Sequence, residues 1–269
     1  MNRPSMFGML APDLVAATGG VVSEAEARRV LAQIISHGRD DLDGMSRPVA
    51  RAARAAVIEA THWTRPIVEE RVVDPTDGSV RYLLALSDGA LVEAVRIPLH
   101  QPSRFSVCLS SQVGCAMRCA FCATGRLGLA RDLTAAEMVG CFVVVRDEAP
   151  GRTTGAVFMG QGEPLHNYDA VIQAARVLAH PCGGRVSAKA ISISTVGLVP
   201  RIHQFATEGH AFRLVISLTS AIPETREGLL PVAGRWSLQE LADAMRALHR
   251  AQRRRITVAW VLMGGVNTQ

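Results

Sequence analysis

Three cysteines within eight residues form the densest group of reactive side chains in the sequence. Cys115, Cys119 and Cys122 are separated by three and then two residues. A loop of this length can turn three thiolates toward one point, as an iron–sulfur cluster requires. Because no fourth cysteine follows closely, the spacing predicts a cluster with one iron left open for a substrate or cofactor. The alternatives are three buried thiols or a structural zinc site, which usually has paired C-x2-C units and a fourth ligand.

The segments around these cysteines predict a parallel α/β unit. Five strand-like apolar segments alternate with helical ones after residue 104: Phe105–Leu109, Gly155–Met159, Ala190–Thr195, Arg213–Leu218 and Ile256–Met263. Ligands of such sheets gather at the carboxyl ends of the strands. Four polar or glycine-rich loops leave strands at that end: the cysteine loop, Gly160–Pro164, Thr195–Gly197 and Thr219–Ser220. The sequence therefore predicts one site built from four loops.

Several helix starts are marked by capping residues. Ser23 with Glu26 forms a capping box, and the residues at Thr134 and Ser237 are each followed by Glu three positions on. Asn167 is expected to cap the helix that follows the second strand. These signals, with a second N-terminal helix expected over Val49–Ala60, give a helical segment over residues 1–66 and a regular alternation later.

Residues 67–103 have the period-two pattern of strands. Three apolar alternating segments, Val68–Val73, Val80–Leu86 and Leu91–Ile97, are separated by Asp77-Gly78 and Asp88-Gly89. Asp-Gly between such segments is a strong hairpin signal, so a three-stranded β-meander is predicted. The expected domains are thus 1–66 helical, 67–103 β-meander and 104–269 α/β core.

Composition is that of an ordinary globular protein, 48% hydrophobic and 20% charged. The formal charge of +5 is compatible with a polyanionic partner. Six unevenly spaced cysteines do not resemble a disulfide framework and fit a reducing compartment better. The N-terminus has no apolar signal-peptide core, and no apolar stretch is long enough to span a membrane. A soluble, cytoplasmic protein is expected.

Several motifs together carry a family resemblance. The cysteine motif is followed by Gly162-Glu163-Pro164, and the strings Cys108-Leu-Ser-Ser-Gln-Val-Gly-Cys115, Ser194-Thr-Val-Gly197 and Ser217-Leu218 accompany it. From about residue 23 onward the chain resembles the RlmN/Cfr adenosine methyltransferases, which are radical S-adenosylmethionine enzymes. The resemblance implies a partial (β/α)6 barrel with five of its strands present, beside a small helical N-terminal domain and the β-meander.

The resemblance also implies the site residues. Cys115, Cys119 and Cys122 would hold a [4Fe–4S] cluster. The residues expected to contact S-adenosylmethionine are Gly162, Glu163, Ser194, Ser217, Leu218 and Thr219. Glu93 matches the family's proton acceptor, and Cys108 the cysteine that releases the product by forming a disulfide. Cys141 and Cys182 match no role and are expected to be structural.

The implied reaction is radical methylation of an adenosine ring carbon through a methyl-cysteine/RNA adduct. Carbon 2 is favoured over carbon 8, and the implied substrate is 23S ribosomal RNA, with transfer RNA as a second candidate. A flavodoxin-type electron donor and a monomeric state are implied too. The arginines considered for RNA contact are Arg47, Arg51, Arg54, Arg126, Arg131 and Arg253–Arg255. The alternative for these arginines is a solvated surface.

Two departures from the family pattern qualify this assignment. Thr219 stands where the family usually has histidine, which removes an imidazole from the expected cofactor site. The sequence also stops at Gln269, before the family's sixth strand, and no cysteine follows Cys182 to carry the methyl group. A truncated, inactive chain is favoured over a divergent member because Glu93 and Cys108 are retained. The competing functions are a radical enzyme with a different substrate and a non-catalytic RNA-binding or assembly protein with a vestigial cluster.

Overall fold

One eight-stranded sheet positions the loops of the site in the computed structural model, which describes residues 3–268. In chain order the strands are β1 (Ile67–Val73), β2 (Val80–Ala85), β3 (Leu91–Pro98), β4 (Arg104–Leu109), β5 (Gln112–Gly114), β6 (Leu129–Asp132), β7 (Arg152–Phe158), β8 (Ile191–Thr195), β9 (Arg213–Ser217) and β10 (Thr257–Ala259). The helices are α1 (Ala11–Ala17), α2 (Glu24–Leu31), α3 (Arg51–Ala60), α4 (Ala123–Leu127), α5 (Ala135–Asp147), α6 (Tyr168–Ala179), α7 (Val199–Glu208), α8 (Pro223–Leu229) and α9 (Leu238–Gln252). None of the described helices has the length and apolar character needed to cross a bilayer.

The strand order is β1-β2-β3-β4-β7-β8-β9-β10. The first four strands pair antiparallel, and β4, β7, β8, β9 and β10 pair parallel. The predicted five parallel strands are confirmed. The β-meander is continuous with them, because β3 pairs directly with β4. Strands β5 and β6 form a separate two-stranded ribbon that the sequence analysis did not predict.

The two faces of the parallel strands differ in chemistry. One face carries large apolar side chains, such as Phe158 and Ile193, which are fully buried in the core formed with the helices. The opposite face carries small polar side chains at alternate positions, among them Cys108, Ser194 and Ser217, which are half-buried. Since alternate residues of a strand face opposite sides, the pattern of small residues leaves this second face open for a ligand.

The N-terminal helices share the core of the sheet. Met6 and Phe7 in the first 3₁₀ turn, Leu14 in α1 and Val30 in α2 are buried in the same hydrophobic cluster as α5 and α6. The side chain of Gln173 also donates to the carbonyl of Gly8 at 3.0 Å. The capping boxes at Ser23, Thr134 and Ser237 are present as predicted.

Asn167 differs from the prediction. It occupies the position before α6, but its side chain makes no capping bond. Its amide instead donates to the carbonyls of Ser111, at 2.8 Å, and Leu133, at 2.7 Å. The side chain ties the loop before α6 to the two ends of the cysteine loop, and these distant partners could not be read from the local sequence.

The last strand is shorter than predicted. Its pairing ends at Ala259 rather than continuing to Met263. The Asn267 side chain then binds the turning chain, since its oxygen accepts from the Met263 N–H and its nitrogen donates to the Val261 carbonyl, both at 2.7 Å. Trp260 and Leu262 are exposed beside this edge.

Candidate functional site

The β5–β6 ribbon holds the two ends of the cysteine loop together. At its base, the Cys115 N–H donates to the Gly128 carbonyl at 2.8 Å. Within the loop, the Cys122 N–H donates to the Cys119 carbonyl at 3.1 Å. The loop is also fixed from outside, because the Ala120 N–H donates to the Leu229 carbonyl of α8 at 3.0 Å. These bonds hold three thiol-bearing residues in one folded loop.

All three cysteines line one cavity of about 270 Å³. Five of the predicted cofactor-contacting residues line the same cavity: Gly162, Glu163, Ser194, Ser217 and Thr219. The hydroxyls of Ser194 and Ser217, from neighbouring strands, lie 3.1 Å apart. Leu218 is not part of this lining: its side chain packs against the core, and its N–H donates to the Ala259 carbonyl. The four loops that the sequence analysis grouped together are therefore brought to one cavity.

The thiols need a positive partner to ionise. Burial raises the pKa of Cys119 to about 12 and also raises the pKa of Cys115. A bound metal centre deprotonates coordinating thiols outright. Among residues 3–268, no three His, Cys, Asp or Glu side chains are close enough to hold a single ion. The thiolates of an iron–sulfur cluster bind different irons, so they stand farther apart than the ligands of one ion.

Thr219 shows that the cavity fits a polar ligand. Its hydroxyl oxygen is buried and has no hydrogen-bond partner among the described residues, although the residue lines the cavity. Its φ of 62° is unusual for a β-branched side chain. The Asn267 amide donates to the Thr219 carbonyl at 2.7 Å and so holds this strained residue in place. Strain of this kind is typical of functional sites.

Glu163 is a buried carboxylate held by backbone donors. Its two oxygens accept from the N–H groups of Leu165 and Val196, each at 2.9 Å. Burial raises the pKa of Glu163 to about 7, although the two N–H bonds act in the opposite direction. A carboxyl group with this pKa can bind an ammonium group while exchanging its proton near neutral pH.

The segment Ser110–Gln112 fixes the loop that carries Glu163. The side chain of Gln112, fully buried, accepts from the Glu163 N–H at 2.9 Å. The Ser111 N–H donates to the Gln161 carbonyl at 2.7 Å, and the Ser110 hydroxyl accepts from the Gln161 N–H at 3.0 Å. These bonds explain why the cysteine motif is preceded by this polar string.

Close approach of these two segments requires glycine. A Cβ on Gly162 would lie 2.6 Å from the Gln112 Cβ, and its φ of 102° lies in the region that favours glycine. A Cβ on Gly160 would lie 2.8 Å from the Ser110 nitrogen. The glycines of this motif therefore let the two segments of the site pack directly against each other.

Glu93 and Cys108 lie outside the cavity lining but beside each other. Cys108 pairs with Val95 across β3 and β4, so the side chains of Glu93 and Cys108 face the same side of the sheet. Positions related in this way lie roughly 7–8 Å apart. The Glu93 carboxylate forms an ion pair with the Arg81 guanidinium, with an N–O distance of 3.2 Å. Burial raises the pKa of Cys108 to about 11, partly offset by the N–H of Met159, a residue of the cavity lining.

Some of the arginines considered for RNA contact are bound to other groups of the protein, whereas others are exposed. Arg131 is engaged by Glu137 and Asp88, both at 2.7 Å, and Arg54 is paired with Asp43. Arg254 donates to the Ala211 carbonyl. Arg126, in α4 beside the cysteines, is exposed. The salt bridges leave Arg131 and Arg54 less available for phosphate than the sequence alone suggested.

Several residues of the site were not predicted. Met117, Phe121, Leu230 and Val261 also line the cavity. Gln112 was present in a quoted motif, yet its contact with Glu163 joins residues 51 positions apart. The position of Gln112 in that motif was the only sequence signal that it belongs to the site. The apolar lining residues resemble ordinary core residues in the sequence.

Three thiols in one cavity at the carboxyl ends of parallel strands are an arrangement that suits an iron–sulfur cluster. The model of the Radical SAM superfamily matches residues 109–269. A probable RNA methyltransferase of Anaeromyxobacter sp. (strain Fw109-5) is 48% identical over 92% of this chain and 72% of its own. The dual-specificity RNA methyltransferase RlmN of Nitratidesulfovibrio vulgaris is 39% identical over 90% of this chain and 67% of its own.

A solved structure agrees with these sequence matches. The crystal structure of a radical SAM methyltransferase from Sphaerobacter thermophilus superposes with a TM-score of 0.87 at 34% identity, over 99% of this chain and 78% of that one. The chain therefore belongs to the radical SAM superfamily, and within it to the RlmN-type RNA methyltransferases.

Proposed function

We propose that the protein methylates a ring carbon of adenosine, carbon 2 in preference to carbon 8, through a methyl-cysteine/RNA adduct. The proposed substrate is 23S ribosomal RNA in the cytoplasm, with transfer RNA as a second candidate. The observation that carries the proposal is the cavity in which Cys115, Cys119 and Cys122 meet Glu163. The neighbouring pair of Glu93 and Cys108 supports the adduct chemistry, since radical cofactor cleavage alone requires neither residue.

The cavity residues have distinct binding roles in this proposal. Cys115, Cys119 and Cys122 would hold a [4Fe–4S] cluster, which together with S-adenosylmethionine supplies a 5′-deoxyadenosyl radical when bound. Glu163 would accept hydrogen bonds from the amino group of the cofactor. The hydroxyls of Ser194, Ser217 and Thr219 would bind its polar groups, and the unpartnered Thr219 oxygen is free to do so. Gly162 would bring its backbone close to the ligand.

Glu93 and Cys108 act on the RNA adduct. The Glu93 carboxylate accepts the proton that the adenine ring must lose, and the Arg81 guanidinium orients that carboxylate. Cys108 would form a disulfide with the cysteine sulfur that carries the methylene group, a role to which none of the six cysteines of this sequence is assigned. The Cys108 sulfur loses its proton as this S–S bond forms, and the bond between the second sulfur and the methylene carbon breaks. The electron pair of the broken bond goes to that carbon, which takes up a proton and stays on the base as a methyl group. The raised pKa of Cys108 keeps its thiol protonated until that step.

RNA binding is assigned to the helical residues 1–66, together with exposed arginines near the cavity. Arg47, four residues before α3, and Arg51, its first residue, are exposed, as is Arg126 on α4. Contacts of these guanidinium groups with phosphates would make affinity fall with salt. The β-meander, residues 67–103, supplies Glu93, and the core from residue 104 onward supplies the cofactor site. A flavodoxin-type protein is the proposed electron donor to this monomeric enzyme.

The decisive experiment is anaerobic. The cluster is reconstituted, labelled S-adenosylmethionine, a reductant and unmodified ribosomal RNA are added, and the digested RNA is analysed for labelled nucleosides. Labelled 2-methyladenosine would support the proposal and contradict the inactivity expected from the lack of a methyl-carrying cysteine, and labelled 8-methyladenosine would reassign the carbon. Formation of 5′-deoxyadenosine without a labelled base would show a working radical site and refute RNA methylation by this chain. Absence of both products would favour a non-catalytic RNA-binding protein.

A further inference from the structure

Arg226 is a buried charge that the proposed reaction does not use. It lies in α8, and only 3% of its surface is exposed. Its Nε is buried without a hydrogen-bond partner, and no carboxylate of the described residues forms an ion pair with it. A buried cation without an ionic partner is costly, so its presence calls for a specific explanation.

The guanidinium contacts the loop that holds Glu163. One terminal nitrogen of Arg226 donates to the Val196 carbonyl at 2.7 Å. The N–H of the same Val196 donates to the Glu163 carboxylate at 2.9 Å, and Val196 itself lines the cavity. Arg226 is thus one residue away from the cavity lining, and its bond fixes a residue that orients Glu163.

The packing around Gly197 reinforces this contact. A Cβ on Gly197 would lie 3.3 Å from the Arg226 guanidinium and 3.1 Å from the Leu241 side chain, and the φ of Gly197 is 108°. The backbone of the β8 loop therefore lies directly against the guanidinium. This close approach explains why the Ser194–Gly197 string ends in glycine.

Helix α8 links Arg226 to the other loops of the site. The helix follows Thr219 and Ser220, which end the β9 loop. At its other end, Leu229 accepts from Ala120 in the cysteine loop at 3.0 Å, and Leu230 lines the cavity. The Leu230 N–H also donates to the Arg226 carbonyl at 2.8 Å. The helix that carries Arg226 therefore connects the β8 loop, the β9 loop and the cysteine loop.

We propose that Arg226 is a positioning residue that holds the β8 loop and, through α8, the cysteine loop in one arrangement. This positioning role does not depend on the proposed cluster.

The positioning role is tested on cluster-free protein by amide hydrogen exchange of the peptides that contain Ala120 and Val196. Arg226→Met is expected to accelerate exchange in both peptides by roughly tenfold or more, because a charge-assisted bond is lost. Peptides of α6 serve as an internal reference for global destabilisation. Arg235→Met, which removes an exposed guanidinium from the segment after α8, is the matched control and should leave both peptides unchanged.

A second variant, Arg226→Lys, keeps the positive charge but not the planar guanidinium. Exchange at Val196 should stay fast in this variant, because lysine cannot reproduce the planar contact.

Three results would overturn the proposal. Unchanged exchange at both Ala120 and Val196 in Arg226→Met, or acceleration equal to that of the α6 peptides, would leave Arg226 without a positioning role. If Arg226→Met does not fold, Arg226→Lys decides, and wild-type exchange at Val196 in that variant would refute the proposal. Failure of RNA methylation would not affect the exchange result, because it is measured without cluster, cofactor or RNA.

Discussion

The carboxylate of Glu163 accepts a hydrogen bond of 2.9 Å from the backbone N–H of Val196, a residue that follows the next strand of the sheet. Burial nevertheless raises the pKa of this carboxyl to about 7. The folded protein therefore binds a proton at Glu163 more tightly than the unfolded chain does. Stability from this group is complete below pH 4.5 and is lost as pH rises through about 7.

We expect Glu163→Gln to flatten the pH dependence of the cluster-free protein. The wild type should lose about 3 kcal/mol of unfolding free energy between pH 4.5 and pH 8 through this group. Urea unfolding at several pH values measures the loss. Glu59→Gln, which changes an exposed carboxylate of α3, should retain the wild-type slope. Equal slopes in the wild type and Glu163→Gln would contradict a raised pKa at this position.

Gly162→Ala should destabilise the protein by at least about 2 kcal/mol, because the added Cβ meets Gln112 at a φ of 102°. Gly228→Ala provides the opposite comparison. Its Cβ would meet nothing within 4 Å, and its place in α8 should make alanine favourable by about 1 kcal/mol. Chemical unfolding of both variants measures the change in unfolding free energy. An unchanged unfolding free energy in Gly162→Ala would argue against the close packing of the two segments.

Cys119→Ser should abolish binding of the iron–sulfur cluster, because the remaining two thiols and a hydroxyl cannot replace three thiolates. Iron and sulfide analysis after anaerobic reconstitution measures this loss. Cys182→Ser is the control, since Cys182 lies outside the cavity lining and should leave iron content unchanged. Full cluster content in Cys119→Ser would remove this cysteine from the ligand set.

Gln112→Ala should weaken binding of S-adenosylmethionine without loss of iron. The substitution removes the acceptor of the Glu163 N–H and leaves that buried donor unpaired, at a cost of about 1–3 kcal/mol. Equilibrium binding to the reconstituted protein measures the effect, with the exposed Gln101→Ala as the control. If Gln112→Ala binds the cofactor as tightly as Gln101→Ala does, the segment before the cysteines has no part in orienting Glu163.

Local signals in the sequence predicted most of the frame of the site. The capping boxes at Ser23, Thr134 and Ser237 depend on residues three positions apart, and the structure contains all of them. Strand periodicity and the loops at the carboxyl strand ends gave the correct grouping of cavity residues. These features can be predicted from the sequence because the residues that determine them are close to one another in the chain.

Other parts of the site depend on contacts between distant residues. Asn167 resembled a helix cap but binds carbonyls 34 and 56 positions away. Arg226 was not singled out in the sequence, and its contact with Val196 spans 30 positions. No local pattern distinguishes such residues from solvated ones, because burial is decided only when the strands assemble.

The order of strands in the sheet has a consequence for the growing polypeptide. Strands β1 to β4 each pair with their neighbour in the chain, whereas β4 must wait for β7, beyond the whole cysteine loop, to gain its second partner. Domains form from the N-terminus during synthesis, so the meander can assemble while the thiols are still in an open loop. The thiols gain their enclosing cavity only after the Ser217 and Thr219 segment has been made. During that interval of translation the thiols are accessible to oxidants.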